Sequence, residues 1–477
     1  MAFQEFYCDP VNGSNMNGGS NDGAVKFAFA AGNWDGTSVY TAAGQDLSGI
    51  AVGDFAQVFN DGTTTPVYLA RVTATDNGAK TITLSTTNKA GTAPTSGTGN
   101  RSINVGGYWK GPNGSQAFPL GFVVVALSTS AEQFVRVNLK DTDTYAITAA
   151  MTHSNPGICF QGYHATAGDG YRANIDGGTS GASYVLLTTN TNNVLMFDLI
   201  FSNNGASGSA ALVDFSGGNC VGCLFSRVVF HDSYGPGLKI YANNTVYECE
   251  AYSCGKGAVT LGAFQSPYYP VFIRCFAHDC NYSNVYGFLT EGGTFVGCIA
   301  HNCKAGGFFT GVSAGNTNSV FVNCDSYASS AGAGFIIGYN GAYGATVLAE
   351  NCNALKNASY GFWGRSSTGY KGGLIQNSGY GTGTQANATA DTGTLGSIVA
   401  SGAVSYGSNL TPWTDPANGD FRINLAAAKG AGRGSFTETA PSYTGSVAYK
   451  DIGSCQHTDS GGGGMLYRAD MAGGMTG

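Results

Sequence analysis

Apolar residues in this chain come in runs of three to five, broken by Gly, Asn and Ser, and the runs recur in phase. The recurrence is plainest in Val246-Tyr-Glu-Cys-Glu-Ala-Tyr-Ser-Cys254, Phe272-Ile-Arg-Cys-Phe-Ala-His-Asp-Cys280 and Phe295-Val-Gly-Cys-Ile-Ala-His-Asn-Cys303. Phe321-Val-Asn-Cys-Asp-Ser-Tyr327 and Asn351-Cys352-Asn353-Ala354 repeat the opening, and Leu199 and Val228 take the cysteine position in two earlier units. That position falls at 199, 228, 249, 275, 298, 324 and 352, in steps of 29, 21, 26, 23, 26 and 28. A glycine ahead of apolar residues follows six of these by 8 to 12 residues, at Gly237, Gly257, Gly287, Gly307, Gly334 and Gly361. Two landmarks held in phase over successive units mark a repeat protein.

No unit has room for a helix of ordinary length, and none shows apolar residues at i, i+3 and i+4. Short strands joined by tight turns, at about 25 residues per unit, describe one coil of a right-handed parallel β-helix. Coils stack at strand spacing, roughly 4.7–4.9 Å, so equivalent residues lie in vertical files. Cys249, Cys275, Cys298, Cys324 and Cys352 are predicted to form one inward structural file, and Cys254, Cys280, Cys303, Ser329 and Asn357 a second. The position before the cysteine reads Asp198, Arg227, Glu248, Arg274, Gly297 and Asn323, which predicts an outward file of alternating charge. Each neighbouring pair there is worth a few tenths of a kcal/mol.

Residues 1–112 lack the repeat. Val52–Phe59, Pro66–Thr73 and Lys80–Ser85 alternate as strands, with turn signals at Asp61-Gly62 and Asn77-Gly78. This predicts a small antiparallel β domain for attachment or for capping the open coil edge, which would otherwise pair with any strand. The β-helix is expected over 113–400. Residues 401–477 read as a closing segment, Trp413–Ile423 and Tyr449–Gly453, with a Gly-rich tail. The fold class is all-β throughout.

Composition narrows the function classes. The chain has 477 residues, 74 glycines, 43% hydrophobic and 11% charged residues, which excludes disorder of the charge-rich kind. A net charge of −7 argues against nucleic acid as a partner. The first seven residues have neither a basic start nor an apolar core, so no secretion signal is expected there. The longest apolar run, near 122–127, is too short for membrane insertion. Thirteen cysteines, an odd number placed by the repeat, are expected as reduced core thiols rather than disulfides or zinc ligands. No metal and no cofactor are expected.

The coil pattern, with its Cys or Asn, then Ala, then a later Gly-Phe or Gly-Ile, resembles the right-handed parallel β-helix, pectin-lyase-like superfamily. Asp415-Pro-Ala-Asn-Gly-Asp-Phe-Arg422 and Asp451-Ile-Gly453 are similar to the C-terminal ends of such proteins in bacterial surface proteins and phages. The resemblance covers about residues 115–455 and implies a virion structural protein, a phage tailspike, fibre or head decoration made in the host cytoplasm. Its implied partners are other virion proteins, further copies of the chain (a trimer among the options) and a host surface polysaccharide. The alternatives are a polysaccharide depolymerase, lyase or hydrolase, of the same fold, and an extracellular or cell-surface bacterial adhesin.

Enzymes of this fold place carboxylates on an outer sheet. Hydrolysis needs an acid and a base or nucleophile at fixed separation, and lysis needs a cation and a base. Asp232, Glu250, Asp279 and Asp325 are the candidates, with Glu291 and Glu350 behind them and Lys239, Arg274 and Lys304 near in sequence. Asp232 and Asp279 share a file two coils apart, and the plainer reading is solvated surface carboxylates. Three positions after the cysteine stand His231, Tyr252, His278, His301 and Tyr327, a file of rings that would read a glycan if it faced outward. The plainer reading is that the rings stack because stacking at strand spacing stabilises the file. Tyr268 and Tyr269, between two prolines, are a second aromatic candidate for glycan binding.

Overall fold

The computed structural model describes residues 4–108 apart from 15–16, 20, 61–65 and 92–93, and 135–380 apart from 148–149, 154–156, 179–184, 206–207, 258–259, 312–317, 338–344 and 365–369. It also describes 398–428 apart from 402–403, 407–411, 419 and 427, and Ser454. The chain divides into two compact units, residues 1–178 with 184–202, and residues 179–183 with 203–477.

The second unit is a parallel β-helix of three sheets. Each coil runs through sheet I, turns a corner into sheet II, turns again into sheet III, and loops back. Sheet I contains Thr245–Tyr247, Val271–Ile273, Gly293–Val296, Asn318–Val322 and Ala345–Glu350, in parallel register. Sheet II contains Val229–His231, Glu250–Tyr252, Phe276–His278, Ile299–His301, Asp325–Tyr327 and Asn353–Leu355. Sheet III contains Leu261–Ser266, Val285–Thr290, Gly306–Thr310, Phe335–Ile337 and Phe362–Gly364.

In-register stacking puts like on like. Phe264, Phe288, Phe308, Phe335 and Phe362 pile up inside sheet III with ring centroids 5.2, 4.7, 4.7 and 4.8 Å apart. Phe272, Phe295 and Phe321 pile up inside sheet I and meet that pile edge-on, as in Phe272–Phe288 at 5.3 Å. From Glu250–Tyr252 onward sheet II turns only small side chains inward, Ala251, Ala277, Ala300, Ser326 and Ala354, because the two ring piles already fill the coil. The interior is therefore filled by side chains, as a core must be.

The corners explain the rest of the repeat. The residue between sheets I and II is left-handed in every coil: Arg227 (φ 55), Glu248 (φ 51), Arg274 (φ 52), Gly297 (φ 63), Asn323 (φ 52) and Asn351 (φ 54). A second left-handed residue, Asp232, Ser253, Asp279, Asn302, Ala328 or Lys356, turns sheet II into sheet III. One residue at positive φ bends the strand sharply with no loop, which is why Asn, Asp and Gly recur there. The file expected as alternating surface charge is thus a corner file first. Within it Arg274 pairs with Glu248 at 3.0 Å, and Gly297 and the asparagines then replace charge altogether.

Directly after that corner, Cys249, Cys275, Cys298, Cys324 and Cys352 are all fully buried. Three of these thiols reach between windings: Cys275 Sγ donates to the Val246 carbonyl at 3.2 Å, Cys298 Sγ to that of Phe272 at 3.4 Å and Cys324 Sγ to that of Phe295 at 3.4 Å. Cys254, Cys280 and Cys303 form a second buried file. Burial pushes the Cys275 and Cys324 thiols well up, so they are neutral and unreactive. None of the twelve cysteines among the described residues is in a disulfide.

After the last described coil the chain doubles back. Trp413–Asp415 and Asp420–Ile423 form an antiparallel hairpin around the short turn Pro416–Asn418. Its Trp413, Phe421 and Ile423, with Tyr406 and Ala428, join Phe276, Ile299, Tyr327 and Leu355 in one buried apolar cluster on the outside of sheet II.

The first unit holds a closed antiparallel barrel, in the order Val25–Trp34, Val39–Thr41, Thr81–Gly91, Pro66–Asp76, Phe55–Asn60 and Gly97–Gly106. Trp34, Tyr40, Val58, Tyr68, Ile82 and Ile103 fill it. At the Asn77-Gly78 turn, Asp76 Oδ1 accepts the N–H groups of Gly78 and Ala79 at 2.8 and 2.9 Å. Asp61-Gly62 lies outside the described residues. The expected boundary at 112 misplaces the start of the chain. Gln4–Cys8 is not part of the antiparallel domain but pairs in parallel with Val135–Lys140, which pairs in turn with Ile158–Tyr163. Its Phe6 and Cys8 are fully buried, so this strand is a rung of a coil stack and the barrel is an insertion after it.

Candidate functional site

Sheet II turns two files outward: Glu250, Phe276, Ile299, Asp325 and Asn353, and His231, Tyr252, His278, His301, Tyr327 and Leu355. The rings of the second file are stacked, His231–Tyr252 at 4.9 Å and 3°, and Tyr252–His278 at 5.1 Å and 19°. His301 and Tyr327 continue it at 5.5 Å, tilted by 33°. Strand spacing alone forces such contacts once rings occupy successive windings.

The file is not one continuous ligand ridge. Phe421 stands edge-on to His301 at 5.9 Å, and Trp413 edge-on to Tyr327 at 5.4 Å. His278, His301 and Tyr327 are buried, so of the five candidate rings only His231 and Tyr252 reach solvent, and those in part. The correction has a simple cause: outward from the sheet is not outward from the molecule once the closing hairpin lies over it.

The four candidate carboxylates have separate fates. His278 holds two of them, with Nε2 at 2.7 Å from Glu250 Oε1 and Nδ1 at 2.8 Å from Asp279 Oδ2. Ionised carboxylates only accept, so both ring nitrogens donate and the ring is an imidazolium. Desolvation pulls its pKa down, but Asp279 and Glu250 outweigh burial and push it up to about 9. His278 in turn holds Asp279 well below the usual carboxylate range, and Asn302 Nδ2 donates to Asp279 at 2.8 Å. Burial opposes ionisation of Asp232, but Lys256 at 2.9 Å and His231 at 2.8 Å outweigh it and depress its pKa. Asp232 and Asp279 both sit at left-handed corners, spread along the edge of the sheet.

Asp325 is fully buried. The Ser454 N–H and Asn353 Nδ2 donate to it at 2.9 Å each, and the Ser454 hydroxyl donates as well. Burial pushes its pKa up to about 6 against those donors and the neighbouring Trp413. Its neighbours in the file are Ile299 and Asn353, so no second carboxylate faces it from an adjacent winding. A low-pKa Asp279, a committed imidazolium and an enclosed Asp325 do not compose the open acid and base that glycoside hydrolysis needs.

The second aromatic candidate stands open. Tyr268 and Tyr269 are 38% and 41% exposed, on the loop leading from sheet III back to sheet I. Tyr241 occupies the same loop one coil earlier, with its ring 4.4 Å from Tyr268 at 62°. The Tyr268 hydroxyl raises the pKa of Tyr241. Pro267 and Pro270 and the Ser266 hydroxyl, which accepts the Tyr268 N–H at 3.2 Å, fix the loop. Tyr269 lies across Gly292 of the next coil, where a Cβ would come within 2.7 Å of the ring. Sequence reading missed Tyr241, although its place 27 residues before Tyr268 matches the repeat. It also missed what Tyr406, Trp413, Phe421 and Ser454 cover, since no repeat relates them to sheet II.

Among the described residues no group of His, Cys, Asp or Glu is placed to hold a metal ion, and no helix is long and apolar enough to cross a membrane. No family model matches the chain, and no curated protein does. Among solved structures it is similar to pectate lyase Pel9A, with 16% identity over 68% of this chain and 88% of that one, at a TM-score of 0.42. It is also similar to the ORF18 protein of Geobacillus virus E2, with 15% identity over 59% of this chain and 55% of that one, at a TM-score of 0.31. By its own strand register the chain is a parallel β-helix protein, with an antiparallel barrel inserted near its start and a short antiparallel hairpin near its end.

Proposed function

We propose that this protein is a β-helical virion appendage that contacts a host surface glycan through the tyrosine corner Tyr241, Tyr268 and Tyr269, without cleaving it. The observation that carries the reading is that corner: three phenol rings held by prolines and a glycine contact, two of them open to solvent. Such rings offer flat faces to a pyranose and hydroxyls to its edge, and their rigidity lowers the entropy cost of binding. Lys239, two residues before Tyr241, pairs with Asp214 at 3.6 Å, Lys256 pairs with Asp232 and Arg274 with Glu248, which favours a neutral or amino sugar over a polyuronate at the corner. The virion setting rests on the resemblance of the repeat and of Asp415–Arg422, and brings other virion proteins and further copies of the chain as partners.

The test is retention of the protein on host cells or their isolated surface polysaccharide. The Tyr268→Ala/Tyr269→Ala variant is expected to lose at least about tenfold in affinity, as hot-spot aromatics do, at an unchanged melting temperature. Purified particles should contain the protein, and no new reducing or unsaturated ends should appear on incubation. Equal binding by the variant, or absence from particles, overturns the reading. The depolymerase reading keeps one supporting observation, the carboxyl of Asp325 raised to about 6 as a general acid needs. Product release abolished by Asp325→Asn would establish it instead.

A further inference from the structure

The part of sheet II beneath the closing hairpin carries more than a packing face requires. Phe276 and Ile299 show that apolar side chains in the outward file are enough to hold the hairpin. Yet the next two windings place a carboxylate and a carboxamide there, Asp325 and Asn353, and bury both completely. Burying a carboxylate costs free energy unless it is matched by donors. The donors are supplied by the C-terminal segment itself. The Ser454 hydroxyl and N–H reach Asp325, the Tyr406 hydroxyl donates to Asn353 Oδ1 at 2.8 Å, and Asn353 Nδ2 ties the two acceptors together at 2.9 Å. Beside them stand the rings of Tyr327 and Trp413, 5.4 Å apart and nearly perpendicular.

A carboxylate and a carboxamide one winding apart, roughly 4.8 Å, each taking a hydroxyl next to an aromatic wall, make the donor and acceptor set that holds neighbouring hydroxyls of a pyranose. We infer that Asp325, Asn353 and Tyr327 form a saccharide subsite that the C-terminal segment occupies as a self-ligand. Ser454 and Tyr406 lend the hydroxyls a sugar would bring, and a glycan bearing vicinal hydroxyls exchanges with them. The exchange is non-covalent and swaps like for like, hydroxyl for hydroxyl and ring for ring, so the buried carboxylate is never left without donors. This shares with the proposed function only the class of ligand, and the site is separate from the tyrosine corner.

The test uses the full chain with the corner disabled, Tyr268→Ala/Tyr269→Ala, so that only the subsite is read. Into this background go Trp413→Ala, Phe421→Ala and Ser454→Ala, which loosen the segment, and both proteins are tested on an array of neutral, amino and acidic pyranose oligosaccharides. The loosened protein is expected to bind at least one oligosaccharide tenfold or more tightly than its parent, and Asp325→Ala or Asn353→Ala on top should remove the gain. No gain on any oligosaccharide, or a gain that survives both changes, overturns the inference. Should the triple change disturb the fold, as judged by circular dichroism, Ser454→Ala alone and hydrogen exchange of the corner-disabled parent replace it. The oligosaccharide retained best should then speed exchange of the Trp413–Ile423 amides, and unchanged exchange overturns the inference equally. Because the corner is absent throughout, loss of corner-dependent binding and loss of this subsite are separate results.

Discussion

The two ends of the sheet II ring file are built from the same residue types at the same spacing, yet they live in different surroundings. At the His231 and Tyr252 end the rings are parallel, half-exposed and flanked by Asp232 and Lys256. At the His301 and Tyr327 end they are tilted, buried and crossed edge-on by Trp413 and Phe421. Stacking in register is common to both and follows from the winding alone. Burial belongs to one end only and comes from a segment far away in sequence. A periodic sequence therefore fixes which side chains are neighbours, and a non-periodic one decides which of them ever meet a ligand.

The comparison breaks most sharply at Trp413. Trp413→Ala empties the centre of the cover and should cost about 3–5 kcal/mol, seen as a lower denaturation midpoint or a separate early transition. Tyr252→Ala at the open end removes a ring of similar kind and should cost only about 1 kcal/mol, since less area leaves water there. Equal losses would mean that the hairpin does not hold the covered end.

pH separates the ends next. His278 has a folded pKa of about 9 against an ordinary 6.5, so its stabilisation is complete below 6.5 and lost as pH rises through 9. The shift corresponds to roughly 3 kcal/mol. Asp325 also binds its proton more tightly when folded, at about 6 against 3.8, so its share is lost as pH rises through that window. Both act in one direction, and the melting temperature should fall steadily from pH 5 to pH 9.5. His278→Gln should flatten the upper half of that fall and Asp325→Asn the lower half. A melting temperature that rises across this range would contradict the ion network.

The smallest effect lies at the corner beside Tyr327. Ala328 has φ 61, a conformation that costs an L-residue roughly 1 kcal/mol and glycine almost nothing. Ala328→Gly should raise stability by up to about 1 kcal/mol in urea denaturation, while a β-branched residue there should lower it. A loss with glycine would show that the Ala328 methyl, packed against the cover, matters more than the bend.

Particular residues show how far the sequence could be read. Cys249, Cys275 and Cys298 stand in one buried file because short apolar runs broken by turn residues at this period wind as strands in register. Arg274 and Glu248 were legible as neighbours, but not as corner residues, since neither is a residue type that favours positive φ. Asp198, Gly297, Asn323 and Asn351 in the same file hinted at the bend. Gln4–Cys8 looked like part of the antiparallel domain because parallel pairing with Val135–Lys140 leaves no local trace.

What the sequence settled by itself is what recurs: the coil, its inward files of thiols, and the file of rings at His231, Tyr252 and His278, all dictated by side chains meeting their counterparts one winding away. What only the tertiary structure decided is what happens once. Trp413, Phe421 and Ser454 lie on the outside of sheet II, Asp325 is sealed by them, and Tyr268 and Tyr269 are left open. Contacts between unrelated segments obey no period, so their energy appears only when the chain has closed on itself.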